Sequence, residues 1–143
     1  KLDLNSYNSF FLNFSLEHHK YDFSSDTSLG EEIIIGNYID TAPKFKGNIR
    51  WHFYASNSLF SEVEVERMSS YYTDAANDHN YEGHTLVHAR FNLEINNRTR
   101  IHLRINNLFD KKYAERADYN FFGGERYFPG IPREVFLGLE YTY

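Results

Sequence analysis

Apolar and polar residues alternate with period two over most of this chain. Toward the end, Val135, Leu137, Leu139, Tyr141 and Tyr143 share one parity, and Glu134, Phe136, Gly138, Glu140 and Thr142 the other. Ile101, Leu103 and Ile105 alternate with Arg100, His102, Arg104 and Asn106. Val87, Ala89, Phe91, Leu93 and Ile95 alternate with His88, Arg90, Asn92 and Glu94. Upstream, Phe45, Ile49, Trp51 and Phe53 oppose Lys44, Lys46, Asn48, Arg50 and His52. Leu59, Val63 and Val65 oppose Glu62, Glu64 and Glu66. Phe10, Leu12, Phe14 and Leu16 oppose Asn13, Ser15 and Glu17, with Phe11 breaking the rule. Successive strand side chains point to opposite faces, so the pattern predicts strands with one apolar and one polar face. Six are expected, over about 6–23, 33–54, 59–72, 82–95, 99–107 and 132–143.

The connections alternate in length. Residues 55–58 and 96–99 are tight turns, whereas 24–32, 73–81 and 108–131 are longer. Short turns at one rim and long loops at the other suit an all-β, antiparallel, up-and-down transmembrane β-barrel segment. The long-loop rim is then expected outside and the C-terminus on the periplasmic side. A soluble β-sandwich binding module also alternates and stays open as an alternative. If the short turns set the register, Arg50 lies near Glu64, Arg90 near Arg104 and Glu94 near Arg100, a charge-laced wall.

Composition supports the barrel. Aromatics make up 18% of the 143 residues, yet only 41% are hydrophobic and the mean hydropathy is −0.62. A barrel shows lipid only every second residue, so its average hydropathy looks soluble. No apolar run reaches the length of about 18 residues that a transmembrane helix needs. The formal charge of −5, from 15 basic and 20 acidic residues, argues against a nucleic-acid partner. The absence of Cys excludes a disulfide framework, a thiol nucleophile and cysteine metal sites. Lys1-Leu2-Asp3-Leu4 has no secretory-leader pattern, so the chain reads as mature, cut or partial.

Candidate chemistry is sparse. His18 and His19 are adjacent and point to opposite faces. His84 and His88 share a face but lie about 13 Å apart at ~3.3 Å per residue. No metal site, cofactor or catalytic constellation is expected, and no enzyme. Tyr71, Tyr72 and Tyr81 flank one long loop, and Tyr119, Phe121 and Phe122 sit at the tip of another; such aromatics are candidate ligand contacts. Asn107 to Tyr113 reads as a strand terminator and turn, with Leu108 and Phe109 packing the rim and Asp110 opening the turn. Pro132 suits the first position of a strand, and Arg133 is expected to pair with a carboxylate on the polar face.

Asn107-Leu108-Phe109-Asp110-Lys111-Lys112-Tyr113-Ala114 resembles the NLFDxxY segment near the end of TonB-dependent outer-membrane receptors. About twenty residues on, Gly124-Glu125-Arg126-Tyr127-Phe128-Pro129-Gly130-Ile131-Pro132-Arg133 resembles that family's GRxYxxGxPR segment. Ala42-Pro43-Lys44 and Tyr71-Tyr72-Thr73-Asp74 match the family's order. The resemblance covers nearly the whole chain, most strongly Asn37 to Tyr143. Tyr143 stands where the family usually has Phe, and Glu125 where a small residue is commoner.

The resemblance implies that residues 1–143 are the C-terminal barrel portion, about the last six strands, of a 22-stranded receptor whose plug and earlier strands lie outside this chain. It implies a location in the outer membrane of a Gram-negative bacterium and uptake of a scarce ligand, most often a ferric siderophore. The implied partners are the TonB complex acting through the plug, the barrel-assembly machinery reading Tyr143 at the terminus, lipopolysaccharide and the bilayer. A self-contained small outer-membrane barrel with a structural or adhesive role is the remaining alternative; it needs eight strands.

Overall fold

The computed structural model describes residues 1–23, 34–120 and 122–143. Its strands are β1 (Leu2–Asn5), β2 (Asn8–Leu16), β3 (Phe45–Ser56), β4 (Leu59–Met68), β5 (Tyr71–Tyr72), β6 (Asn80–Tyr81), β7 (His84–Asn96), β8 (Thr99–Asn106), β9 (Ala114–Asn120), β10 (Gly124–Pro129) and β11 (Glu134–Tyr141). One antiparallel sheet runs β1-β2-β3-β4-β7-β8-β11, and β5-β6 and β9-β10 are separate hairpins. The order is up-and-down. Its long-loop rim carries both hairpins, and its short-turn rim carries the C-terminus.

The alternation survives as two continuous faces. Phe10 pairs with Trp51 and Leu12 with Ile49; Ile49 and Trp51 then meet Val65 and Val63. These continue to Val87 and Ala89, then Ile105 and Val135. This apolar face is bare: Leu12 is 63% exposed, Leu137 76% and Leu139 73%. Trp51, in the middle of β3, lies beside Phe10 and Phe53 and donates its Nε1–H to Asn8 Oδ1 at 2.9 Å. A sandwich would bury such a face against a second sheet. Here a single layer leaves it uncovered, so the sandwich alternative fails.

Three boundaries differ from expectation. The main sheet has seven strands, because Leu2–Asn5 adds one. Its turn is closed by Asn5 Oδ1 accepting the Tyr7 N–H at 2.9 Å. The expected strands 6–23 and 33–54 shorten to Asn8–Leu16 and Phe45–Ser56. Before β3, Gly36 (φ 84) and Thr41 (φ 56) adopt left-handed backbone and Pro43 removes a donor, which stops a ladder. The expected loop 108–131 contains the β9-β10 hairpin, paired from Gly124↔Asn120 to Pro129↔Ala114. Its charged sequence hides the alternation. The expected loop 24–32 and residue 33 lie outside the described residues.

The buried core is small and sits at the long-loop rim. Met68, Tyr71, Ala114 and Ala117 form it, with Tyr81 against them. It glues the two hairpins to the top of the sheet.

Candidate functional site

The polar face is a network rather than a set of isolated charges. His52 Nε2 lies 2.6 Å from Glu62 Oε2, and Arg90 bonds the other Glu62 oxygen. Arg90 also reaches Glu64 at 3.6 Å, and Asn48 Nδ2 donates to Glu64 at 2.6 Å. Arg100 pairs with Glu94 at 2.8 Å, and His102 lies 3.5 Å from Glu140. The expected register holds at Arg50↔Glu64, Arg90↔Arg104 and Glu94↔Arg100. The partners differ in part. Arg50 lies 5.7 Å from the Phe11 ring and Glu64 serves Asn48 and Arg90 instead. Arg104 lies 4.5 Å from the ring of Phe136, away from the like charge of Arg90. Phe11, the exception to alternation, packs on His52 at 4.5 Å.

At the long-loop end of this face an open groove of 680 Å³ is lined by Asn13, Lys46, Glu66, His84, His88 and Tyr113. Among the described residues no group of three or more His, Asp or Glu could hold a metal ion.

The two motif segments meet here. Asn107 is buried at φ 50, a conformation Asn tolerates better than most residues. Its Nδ2 donates to Lys111 O at 2.9 Å and Ile131 O at 3.1 Å, and its Oδ1 accepts the Lys111 N–H at 2.9 Å. Its own N–H donates to His88 Nδ1 at 3.2 Å. Asp110, also left-handed at φ 52, accepts the Arg133 N–H at 2.9 Å. Tyr113 covers Gly130, whose N–H donates to Tyr113 O at 2.9 Å. Asn107, Asp110 and Tyr113 on one side and Gly130, Ile131 and Arg133 on the other thus close the base of the β9-β10 hairpin. Leu108 donates its N–H to Val87 O at 2.7 Å, whereas Phe109 is exposed. Pro132 directly precedes the segment that enters β11. Among the described residues Arg133 makes no ion pair with a carboxylate; its backbone N–H bonds Asp110 instead.

The loop aromatics divide. Tyr71 Oη accepts the Ala117 N–H at 2.7 Å, and Tyr81 Oη accepts the Ala114 N–H at 3.1 Å, so both anchor β9. Burial raises the Tyr71 and Tyr113 phenols above their ordinary value. Tyr119 stacks on His79 with ring centroids 3.7 Å apart, and its N–H donates to Thr73 O. Phe122 is exposed at the hairpin tip. Phe121 lies outside the described residues. Tyr72 stacks on Tyr38 at 6.0 Å. Tyr38 in turn carries His18 edge-on at 5.4 Å, Lys44 Nζ at 3.5 Å and Lys20 Nζ at 5.0 Å from its ring centre. Sequence reasoning singled out Tyr72 but not Tyr38, Lys20 or Lys44, because their meeting is a loop crossing that periodicity does not encode. Tyr143 is fully exposed at the short-turn rim, edge-on to Tyr141 at 5.7 Å.

No known family model matches the sequence, and no curated protein matches it. Solved structures do match its architecture. The siderophore receptor PiuA from Acinetobacter baumannii superposes over 99% of this chain and 20% of its own, at TM-score 0.74 and 17% identity. The chain shares the antiparallel, up-and-down sheet fold of a segment of that receptor. The ferric yersiniabactin uptake receptor FyuA from Yersinia pestis matches at TM-score 0.74 and 14% identity, over 98% of this chain and 22% of its own. The ferric-catecholate import receptor Fiu from E. coli K12 matches at TM-score 0.72 and 16% identity, over 99% and 19%. At such identities the fold is what is shared. The chain spans about a fifth of the length of these receptors.

Proposed function

We propose that the chain is the C-terminal wall of a TonB-dependent outer-membrane receptor that takes up a scarce ligand, foremost a ferric siderophore. The observation that carries this reading is the bare apolar face backed by a continuous polar network on the same seven strands. Water leaves such a face unfavourable and lipid does not, while the polar side suits a lumen. The sheet ends at β1 and β11, and exposed edges are not tolerated in hydrocarbon, so further strands complete it. The long-loop rim with its two hairpins faces the medium and lipopolysaccharide, and Tyr143 faces the periplasm, where the assembly machinery reads it. The TonB complex, pulling on a plug, supplies the energy. No bond is made or broken, so the chain contributes binding and passage rather than catalysis.

Fractionation and uptake test this. The full-length product is expected in the outer membrane, and its deletion is expected to abolish TonB-dependent uptake of a labelled iron chelate. Recovery in the soluble fraction without detergent, or unchanged uptake across siderophores, haem, cobalamin and glycans, defeats the reading.

A further inference from the structure

Lys20 and Lys44 converge on a single ring. Their ammonium nitrogens lie 5.0 and 3.5 Å from the centre of Tyr38. His18 approaches the same ring edge-on, and Tyr72 stacks on it. Neither lysine makes an ion pair among the described residues. Two nearby carboxylates are engaged elsewhere: Asp40 accepts the Tyr21 hydroxyl, and Glu17 lies 3.5 Å from His19. Two ammonium groups sharing one ring sit within about a Debye length of each other, ~8–10 Å, and repel. The electron-rich ring face attracts each of them, but it does not cancel a like-charge pair.

The ring is held firmly. Lys20 bridges to Tyr38 across the loop. Asn77 Oδ1 accepts the Tyr38 N–H at 2.8 Å, and Asn77 Nδ2 donates to Tyr38 O at 2.9 Å. The Thr41 N–H donates to Tyr72 O at 2.8 Å, tying the second ring to the same segment. The positive charge also continues inward, because Lys44 leads into β3, whose polar face carries Lys46 and Arg50. A prepaid cluster of cations of this kind lowers the cost of ordering an anion's partners.

We propose that Lys20 and Lys44, seated on Tyr38 beside Tyr72, form an anion-binding subsite at the outer rim that selects polyanionic iron chelates over neutral or cationic ones. This rests on the receptor reading and names its ligand class. Lys44 precedes β3 on the parity of Lys46 and Asn48, the polar side of the sheet, so the anion is a soluble chelate rather than a lipid phosphate.

The test uses the full-length receptor in detergent with two probes: the trianionic complex of iron(III) with three catecholates, and a cationic iron(III) trihydroxamate. The wild type is expected to bind the anionic probe more tightly, with affinity falling as salt rises. Lys20→Gln combined with Lys44→Gln is expected to weaken the anionic probe about tenfold or more and flatten the salt dependence. The cationic probe should not weaken, and the double Lys→Arg variant should retain anion binding. Wild-type and double Lys→Gln proteins that bind both probes alike overturn the subsite while the receptor reading stands. A receptor that binds neither chelate in any variant overturns the iron-receptor reading and the subsite with it. If the purified wild type instead retains lipid phosphate that the double Lys→Gln variant loses, the occupant is lipopolysaccharide and the proposal is wrong.

Discussion

Tyr113 and Gly130 occupy each other's space: a Cβ on Gly130 would lie 2.1 Å from Tyr113 Cζ and 2.3 Å from Cε2. The ring leaves room for a hydrogen and nothing larger. Gly130→Ala therefore has to displace the aromatic ring that closes the hairpin base, an overpacking cost of roughly 1–3 kcal/mol or more. The pair also couples, so Tyr113→Ala is expected to relieve most of the Gly130→Ala penalty. Urea unfolding of the four proteins of this double-mutant cycle in detergent checks it, and strictly additive losses would contradict the packing.

Asn107 ties three segments with one amide. Asn107→Ala leaves the Lys111 N–H without its side-chain acceptor and the Lys111 and Ile131 carbonyls without a donor, and it places Ala in a left-handed conformation. A loss of about 2–4 kcal/mol is expected, since each unpaired buried group costs ~1–3 kcal/mol. Asn107→Asp keeps the acceptor but turns the donor into a second acceptor, and should cost nearly as much. Limited proteolysis between 108 and 131 reads the effect directly, as faster cleavage of the hairpin.

The Tyr71 hydroxyl is the acceptor for the buried Ala117 N–H. Tyr71→Phe should loosen the β9-β10 hairpin by about 1–3 kcal/mol with the main sheet intact. It should also alter the alkaline limb. Burial raises the Tyr71 phenol above its ordinary value, so the folded state holds the proton more tightly than the unfolded state. That contribution is complete below the unfolded value and is lost as pH rises through the folded one. Hairpin protection followed by hydrogen exchange from neutral to strongly alkaline pH should fall more steeply in the wild type than in Tyr71→Phe.

Leu137 and Gly138 are neighbours on opposite faces of β11. Leu137 is 76% exposed on the apolar face, and Leu137→Arg should cost roughly 2–4 kcal/mol if it sits near the bilayer midplane. On the polar face, a Cβ at Gly138 would meet the His102 Cβ at 3.7 Å, an ordinary contact, so Gly138→Ser should be nearly neutral. Thr142→Arg, on the same parity and beyond the strand end, should also cost less. Folding titrations in lipid compare the three, and a harmless Leu137→Arg would mean that this face does not meet lipid.

Most of the main sheet was legible because a strand writes its two faces into the sequence. The alternation at 45–56, 59–68, 84–96 and 99–106 survives with its register, since a tight two-residue turn such as Asn97-Arg98 leaves the pairing little freedom. Leu2–Asn5 carried the same signal, in Leu2 and Leu4 against Asp3 and Asn5, but over only four residues. The strand expected from residue 33 starts only at Phe45, because positive-φ backbone at Gly36 and Thr41 leaves no mark in hydropathy.

The sequence by itself determined which residues share a face, how the short turns set the register, and that two motif segments flank one long connection. Each of these depends on neighbours a few positions apart. The tertiary structure alone decided that Asn107 reaches Ile131, that Tyr71 and Tyr81 spend their hydroxyls on β9, and that Lys20, Lys44 and Tyr72 gather on Tyr38. These meetings join loops with no repeating period, and they exist only once the strands beneath have fixed where each loop starts and ends.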